Sequence, residues 1–230
     1  MKPSIPLPLA VEAVVIDLDG TLLHTAPDLA EAANRMLAEL QQPPIAETLI
    51  TTFVGNGVSR LIKRVLTRDM DGEPDAAAFA RTQPIYEKHY AEVVSRSSRP
   101  YPDVVAGLEA LKKTGYRLAC ITNKSEKFTI PLLKATGLYD YFELVLSGDS
   151  LPRRKPDPLP LLHACEKFGI TPDKMLLIGD SLNDTQAARA AGCHVFCVPY
   201  GYNRGTDVRD LDPDAVVESI LKASTLITKA

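Results

Sequence analysis

Short apolar segments recur along the chain and indicate its architecture. They consist mostly of Val, Ile, Leu, Cys and Phe, and their apolar positions are nearly continuous instead of alternating. This pattern is typical of strands that are buried on both faces, as in a parallel sheet. The predicted strands are residues 13–18, 116–122, 142–146, 175–178 and 194–198, with a weaker sixth at 214–217.

Helical periodicity fills the intervals between these strands from residue 103 onward. Residues 103–114, for example, place Val104, Leu108 and Leu111 on one face and end before Gly115, a common signal at a helix C-terminus. Further helices are predicted over residues 125–136, 157–168, 183–191 and 217–228. Strands that alternate with helices in this way predict an α/β fold with a doubly wound, Rossmann-like parallel sheet.

The segment between the first predicted strand and residue 99 has helical periodicity and no strand pattern. Helices are predicted over residues 28–40, 58–66 and 76–94, and Pro43 and Pro44 interrupt the region after the first of them. We therefore expect a small all-helical domain at residues 24–98, inserted after the first strand. Residues 1–23 and 99–230 would then form the α/β core.

Composition excludes several classes of protein. The chain has 230 residues, of which 45% are hydrophobic and 24% charged, enough apolar mass for a packed core. A net charge of -3 gives no electrostatic reason to expect nucleic acid or an anionic membrane as a partner. No apolar run approaches the roughly 20 residues of a membrane span, and residues 1–10 lack the pattern of a secretory signal. The cysteines form no CxxC pair, so we expect neither a disulfide framework nor structural zinc, and a cytoplasmic location.

Polar residues cluster where the predicted strands end. Because ligands of open α/β sheets bind beyond the carboxyl ends of the strands, these side chains should lie at one edge of the sheet. They are Asp17, Asp19, Thr122, Asn123, Lys155, Asp180, Ser181, Asn183 and Asp184.

Converging carboxylates repel one another unless a cation lies between them. Carboxylate oxygens are ligands that Mg²⁺ prefers, usually together with water and phosphate oxygens. A neighbouring lysine and hydroxyl suit a phosphoryl group, which a carboxylate can attack to split hydrolysis into two easier steps. A second carboxyl group nearby can act as general acid and then as general base.

The order of these motifs resembles that of the haloacid dehalogenase-like phosphatases. The motifs are DLDGT at residues 17–21, Thr122 at the end of the second strand, Lys155-Pro156, and GDSLND at residues 179–184. The resemblance covers nearly the whole chain. It implies that Asp17 is the nucleophile and a magnesium ligand, and that Asp19 is the general acid/base and binds the metal through its backbone carbonyl. Asp180 would be the other protein ligand of Mg²⁺.

The same resemblance implies roles for the residues around these carboxylates. Thr122, Asn123 and Lys155 would hold the phosphoryl oxygens, while Gly20 and Thr21 would offer backbone donors to the phosphate. Ser181, Asn183 and Asp184 would surround the metal ligands.

The helical insert resembles the cap domain of that family, which closes over the site and often selects the substrate. Within it, Gly55, Asn56 and Gly57 of the sequence VGNG look like the loop that faces the site. DLDGT, VGNG, KPDPLP and GDSLND together resemble bacterial phosphoglycolate phosphatases. The expected partner is therefore a small phosphorylated metabolite, with 2-phosphoglycolate the leading substrate. A phosphomutase related to β-phosphoglucomutase and a non-catalytic phospho-ligand binder remain alternatives, and the chain could be a monomer or a homodimer.

The sequence does not decide the function of His24 or of three basic residues in the insert. His24 stands at the predicted hinge, where family members commonly carry an acidic residue, and it is either a substrate contact or an exposed hinge residue. Arg60, Lys63 and Arg64 could attract a substrate carboxylate, although we expect them to form a solvated helix face.

Overall fold

The computed structural model describes residues 7–203 and 205–230, so the first six residues of the predicted core and Arg204 lie outside the described residues. In chain order the strands are β1 (Leu9–Val11), β2 (Ala13–Ile16), β3 (Leu23–His24), β4 (Arg99–Pro100), β5 (Arg117–Ile121), β6 (Leu144–Leu146), β7 (Met175–Gly179), β8 (His194–Cys197), β9 (Ala215–Val216) and β10 (Ile227–Lys229). The α-helices are α1 (Ala26–Glu39), α2 (Glu47–Phe53), α3 (Val58–Thr67), α4 (Ala76–Val93), α5 (Val104–Thr114), α6 (Glu126–Ala135), α7 (Leu159–Phe168), α8 (Leu182–Ala191) and α9 (Ile220–Ser224).

The central sheet is parallel and has the strand order β6-β5-β2-β7-β8-β9. β2 lies between β5 and β7, with Ile16 opposite Cys120 on one side and Ile178 on the other. Every residue of β2 is fully buried, because helices cover both faces of the sheet. The predicted doubly wound α/β fold is confirmed, including the weak sixth strand. The carboxyl ends of β2, β5 and β7 consequently lie side by side.

Helices α1 to α4 form a unit between β3 and β4, which we call the helical insert. β3 and β4 pair with each other in antiparallel fashion, Leu23 with Pro100 and His24 with Arg99, so the chain enters and leaves the insert at one place. Within the insert, α1 packs along α4, and Tyr86 and Tyr90 of α4 are completely buried. Helix α2 was not among the predicted elements. The domain boundaries at residues 24 and 98 remain a prediction.

The C-terminal segment differs from its prediction. The prediction of a helix over residues 217–228 is wrong, because α9 is short and is followed by β10, which pairs in parallel with β1. Ile227 is buried in this pairing, whereas its neighbours Thr228 and Lys229 remain exposed. The β-branched residues Ile227 and Thr228 favour an extended backbone, and the pairing with β1 satisfies its hydrogen bonds.

Two further observations bear on the chemical environment. Among the described residues, no helix is both long and apolar enough to cross a bilayer. All four cysteines are buried free thiols.

Candidate active site

The turn after β2 brings Asp17 and Asp19 to the edge of the sheet. The backbone N–H of Asp17 still donates to the carbonyl of Ile178 at 3.0 Å, so Asp17 continues the strand ladder. The chain then turns sharply through Gly20, whose φ of 91° favours glycine. A Cβ atom at Gly20 would lie 2.3 Å from Oδ2 of Asp180. Glycine is therefore required both for the turn and for the close approach of Asp180.

Three buried carboxylates meet beyond β2 and β7. Asp17, Asp180 and Asp184 each place one carboxylate oxygen within 4.8 Å of the other two. Asp180 is held by the hydroxyl of Thr21 at 3.1 Å and by the backbone N–H of Tyr202. Asp184 sits in the first turn of α8, where its side chain and Ser181 form a reciprocal capping box.

Lys155 lies between two of these carboxylates and is itself buried. Its ammonium group donates to Asp17 at 2.8 Å, to Asp184 at 2.7 Å and to the carbonyl of Ile121 at 2.6 Å. These contacts use all three ammonium hydrogens. Burial alone would lower the pKa of Lys155, but the two carboxylates outweigh that effect and raise it. Lys155 is therefore a cation that neutralises part of the cluster, and its predicted contact with a phosphoryl group stays a prediction.

The remaining negative charge is poorly compensated. Burial raises the pKa of Asp17 to about 7, with Lys155 opposing the shift and Asp184 adding to it. Burial, followed by the charges of Asp17 and Asp184, raises the pKa of Asp180 well above its ordinary value. Within the described residues, no donor contacts Oδ2 of Asp17. A buried set of oxygen donors with excess negative charge suits a hard divalent cation such as Mg²⁺.

A cavity of about 390 Å³ lies over this cluster, between the sheet edge and the helical insert. Most of the site residues predicted from the sequence line it. They are Asp17, Asp19, Gly55, Asn56, Gly57, Thr122, Asn123, Lys155, Asp180, Ser181, Asn183 and Asp184. The insert contacts the core directly here, since the amide of Asn56 donates to the side-chain oxygen of Asn183 at 3.0 Å.

Gly20 and Thr21 are absent from the described cavity wall and lie behind Asp180. The N–H of Gly20 donates to the carbonyl of Leu23 at 2.9 Å, and that of Thr21 to the carbonyl of Leu18 at 3.4 Å. Their backbone donors thus stabilise the turn in this structure. A phosphate contact by either residue stays a prediction.

Lys124 is a cavity residue that the sequence interpretation did not single out. Its ammonium group contacts both carboxylate oxygens of Asp19, at 2.8 and 2.9 Å, and lies 5.1 Å from the centre of the Tyr90 ring in the helical insert. Only 2% of its side chain is exposed. Its position shortly after β5, beside Thr122 and Asn123, is the signal that could have identified it.

Tyr202 is a second residue that sequence reasoning missed, and it connects the carboxylate cluster with the hinge. Its hydroxyl accepts hydrogen bonds from the backbone N–H groups of Thr25 and Ala26, at 2.7 and 2.8 Å. His24 contacts the same hydroxyl through Nδ1 at 3.0 Å and is exposed. His24 is not among the described cavity-lining residues and lies in β3 opposite Arg99. Its role at a hinge stays a prediction.

The three basic residues of α3 do not share one environment. Arg60 and Lys63 both pair with Glu73 at the surface. The expectation of a solvated face is wrong for Arg64, which is only 4% exposed. Its guanidinium donates to the carbonyls of Phe53 and Gly55, because it lies on the same helix face as the buried residues of α3.

The fold and the site together define a class of hydrolase. A doubly wound sheet carries Asp17 and Asp19 after its central strand β2 and Asp180 at the end of the neighbouring strand β7. Lys155, from the loop between β6 and α7, reaches the same cavity. The family model described as haloacid dehalogenase-like hydrolase matches residues 11–192. The chain belongs to this family.

Similarity to individual proteins extends over nearly the full chain. It is 68% identical to a phosphoglycolate phosphatase of Thiobacillus denitrificans, over 97% of this chain and 98% of that protein. It is 59% identical to a phosphoglycolate phosphatase of Nitrosospira multiformis, over 97% of this chain and 98% of the relative. A crystal structure described as a predicted phosphoglycolate phosphatase from Haemophilus somnus superimposes with a TM-score of 0.86 at 37% identity, covering 92% of this chain and 95% of that one.

Proposed function

We propose that this protein is a Mg²⁺-dependent phosphomonoester hydrolase that converts 2-phosphoglycolate and water into glycolate and phosphate. The observation that carries the proposal is the pair Asp17 and Asp19, which face one cavity beside Lys155 and Asp180. The substrate assignment is supported by the two relatives that bear the name phosphoglycolate phosphatase at 68% and 59% identity.

In the first step, a carboxylate oxygen of Asp17 attacks the phosphorus atom. The bond between phosphorus and the glycolate oxygen breaks, and Asp19 gives its proton to that oxygen, so that glycolate leaves with its hydroxyl group restored. The phosphoryl group is then held covalently on Asp17. Asp17 suits this role because one of its oxygens is anchored by Lys155 at 2.8 Å, which fixes the direction of the other.

In the second step, a water molecule attacks the phosphorus atom while Asp19 accepts one of its protons. The bond between Asp17 and phosphorus breaks, phosphate leaves, and Asp19 again carries a proton. Both steps use the same two side chains, and the cycle consumes one water molecule for each ester bond that is cleaved.

Mg²⁺ would be held by Asp17 and Asp180, with the backbone carbonyl of Asp19 as a further ligand and Asp184 next to them. The buried oxygen donors and the raised pKa values of Asp17 and Asp180 support this assignment, because a cation would relieve their mutual repulsion. When bound, Mg²⁺ supplies charge stabilisation for the phosphoryl oxygens.

Hydrolysis in a reducing cytoplasm fits the four buried free thiols and a small, phosphorylated metabolite as substrate. Whether the protein is a monomer or a homodimer can be measured by light scattering.

The decisive experiment is phosphate release from 2-phosphoglycolate and a panel of small phosphomonoesters, with and without Mg²⁺. We expect kcat/KM to be highest for 2-phosphoglycolate, and turnover to be lost in Asp17→Asn but not in Asp140→Asn, which changes an exposed aspartate outside the cavity. No phosphate release from any ester would contradict the proposal. Isomerisation of a sugar phosphate without phosphate release would favour a phosphomutase, and tight binding without turnover would favour a phospho-ligand binder.

A further inference from the structure

We propose that Lys124 binds the carboxylate of the substrate and thereby selects phosphomonoesters that carry an acid group beside the ester. The inference rests on the proposed hydrolysis and names the residue that gives it specificity.

The charged residues that line the cavity are mainly acidic and would repel a substrate carboxylate unless a cation binds it. Among the described residues that line it, four are acidic and only Lys124 and Lys155 are basic. The ammonium group of Lys155 already has three acceptors at 2.6 to 2.8 Å, so it has no hydrogen left for a distant part of the substrate. Lys124 is therefore the cation among the described lining residues that can still pair with a substrate carboxylate.

The position of Lys124 matches the shape of 2-phosphoglycolate. In the proposed reaction, Asp19 contacts the ester oxygen that leaves, and the carboxyl carbon of the substrate is joined to that oxygen through a single methylene group. Lys124 contacts both oxygens of Asp19, at 2.8 and 2.9 Å, so its ammonium group lies next to the place of the methylene and carboxyl groups. A substrate carboxylate can share this ammonium group with Asp19.

Burial makes the contact selective. The side chain of Lys124 is 2% exposed, and the ring of Tyr90 covers it at 5.1 Å from the side of the helical insert. An ion pair shielded from water is considerably stronger than one at the surface. A neutral substituent in the same place would gain nothing from the ammonium group.

The three basic residues of α3 are committed elsewhere. Arg60 and Lys63 pair with Glu73, and neither is among the described residues that line the cavity. Arg64 donates to the carbonyls of Phe53 and Gly55 and so supports the loop that carries Asn56. This arrangement favours Lys124 over the basic face of α3 as the carboxylate receptor.

Binding to inactive protein tests the inference separately from turnover. In an Asp17→Asn background with Mg²⁺, calorimetry gives the affinities for 2-phosphoglycolate and for ethyl phosphate, which has the same number of carbons and no carboxylate. We expect Lys124→Gln to lower the ratio of these affinities about 100-fold. Lys124→Arg should largely preserve the ratio, and Lys134→Gln, which removes an exposed lysine from α6, should leave it unchanged.

A second variant guards against misfolding of Lys124→Gln. Asp19→Asn removes the carboxylate that competes for Lys124, so the preference for 2-phosphoglycolate over ethyl phosphate should rise. An equal loss of affinity for both ligands in Lys124→Gln would mean that Lys124 acts only by positioning Asp19, and would overturn the inference. A ratio of affinities that stays unchanged in Lys124→Gln or in Asp19→Asn would also overturn the inference. If the affinity ratio changes as expected but the wild-type protein releases no phosphate from any ester, the hydrolysis proposal alone would be contradicted.

Discussion

Replacing the proposed nucleophile should make the metal-free protein more stable at neutral and alkaline pH. Asp17 is buried, and its pKa in the folded chain is about 7, against 3.8 for an aspartate exposed to water. Between these two values the folded protein holds a proton that the unfolded chain has released. Because the folded pKa is raised, the stabilisation is complete below pH 4 and is lost as the pH rises through 7.

The magnitude follows from linkage. One retained proton makes the free energy of unfolding fall by about 1.4 kcal/mol for each pH unit between roughly pH 4 and 7, or about 4 kcal/mol in total. For a chain of this length, about 3 kcal/mol between pH 5 and 7 corresponds to roughly 5 to 10 °C in Tm. The asparagine of Asp17→Asn does not ionise, so the free energy of unfolding of this variant should not show this decrease with pH.

The assay is thermal unfolding of wild type and Asp17→Asn in EDTA at several pH values from 5 to 8.5. The difference in Tm, variant minus wild type, should increase with pH and then level off above pH 8. Saturating Mg²⁺ should shrink the difference at pH 8, because the cation compensates the ionised carboxylate in the wild type. A difference that stays constant with pH, or that Mg²⁺ leaves unchanged, would refute the reasoning from buried charge.

Three other substitutions probe the core, the cluster and the hinge. Gly107→Ala would place a Cβ atom 2.6 Å from the backbone nitrogen of Leu221, so we expect a loss of about 1–3 kcal/mol in unfolding by urea with little change in kcat. Lys155→Met leaves two buried carboxylates without their cation, and should cost about 3–5 kcal/mol of stability together with activity. Tyr202→Phe deprives two buried hinge N–H groups of their acceptor and should lower the free energy of unfolding by about 1–3 kcal/mol. Wild-type unfolding curves for these variants would contradict the contacts described.

The central strands could be predicted because each is buried on both faces. Val14, Val15 and Ile16 of β2 are completely buried, which is why an uninterrupted apolar run stands at this position of the sequence. The strands β1 and β10 lack such a run, since they pair only with each other and leave Ala10, Thr228 and Lys229 exposed. These two segments become strands because they pair with each other from opposite ends of the chain, and a local sequence pattern does not reveal such a contact.

The helical insert was predictable in outline but not in detail. Helix α2 has the sequence ETLITTF, whose threonines and isoleucine have modest helix propensity, and it follows a pair of prolines. Its burial of Ile50 and Phe53 against the insert stabilises it as a helix. Tertiary packing thus outweighs a local sequence that favours a loop.

The carboxylates of the site and Lys155 were predictable from their positions in the sequence, whereas the burial of two other basic residues, Lys124 and Arg64, was not predicted. A lysine or arginine usually indicates a solvated surface, yet Lys124 and Arg64 are buried. Lys124 is buried because Asp19 and the ring of Tyr90 enclose it. For Arg64 the sequence held a usable signal, since Leu61 and Val65 place it on the apolar face of α3.

The pairing of β3 with β4 also bears on how proteins of this architecture can diversify. An insertion whose two ends already lie side by side imposes little strain on the host sheet, and lengthening it costs only a slowly growing closure entropy. Mutations, or a recombination event that replaces the segment between His24 and Arg99, can therefore change the part of the cavity wall that the helical insert supplies. Asp17, Asp19 and Asp180 would keep their positions after strands β2 and β7. Proteins of this architecture can therefore acquire new substrates while the carboxylates at the strand ends stay the same.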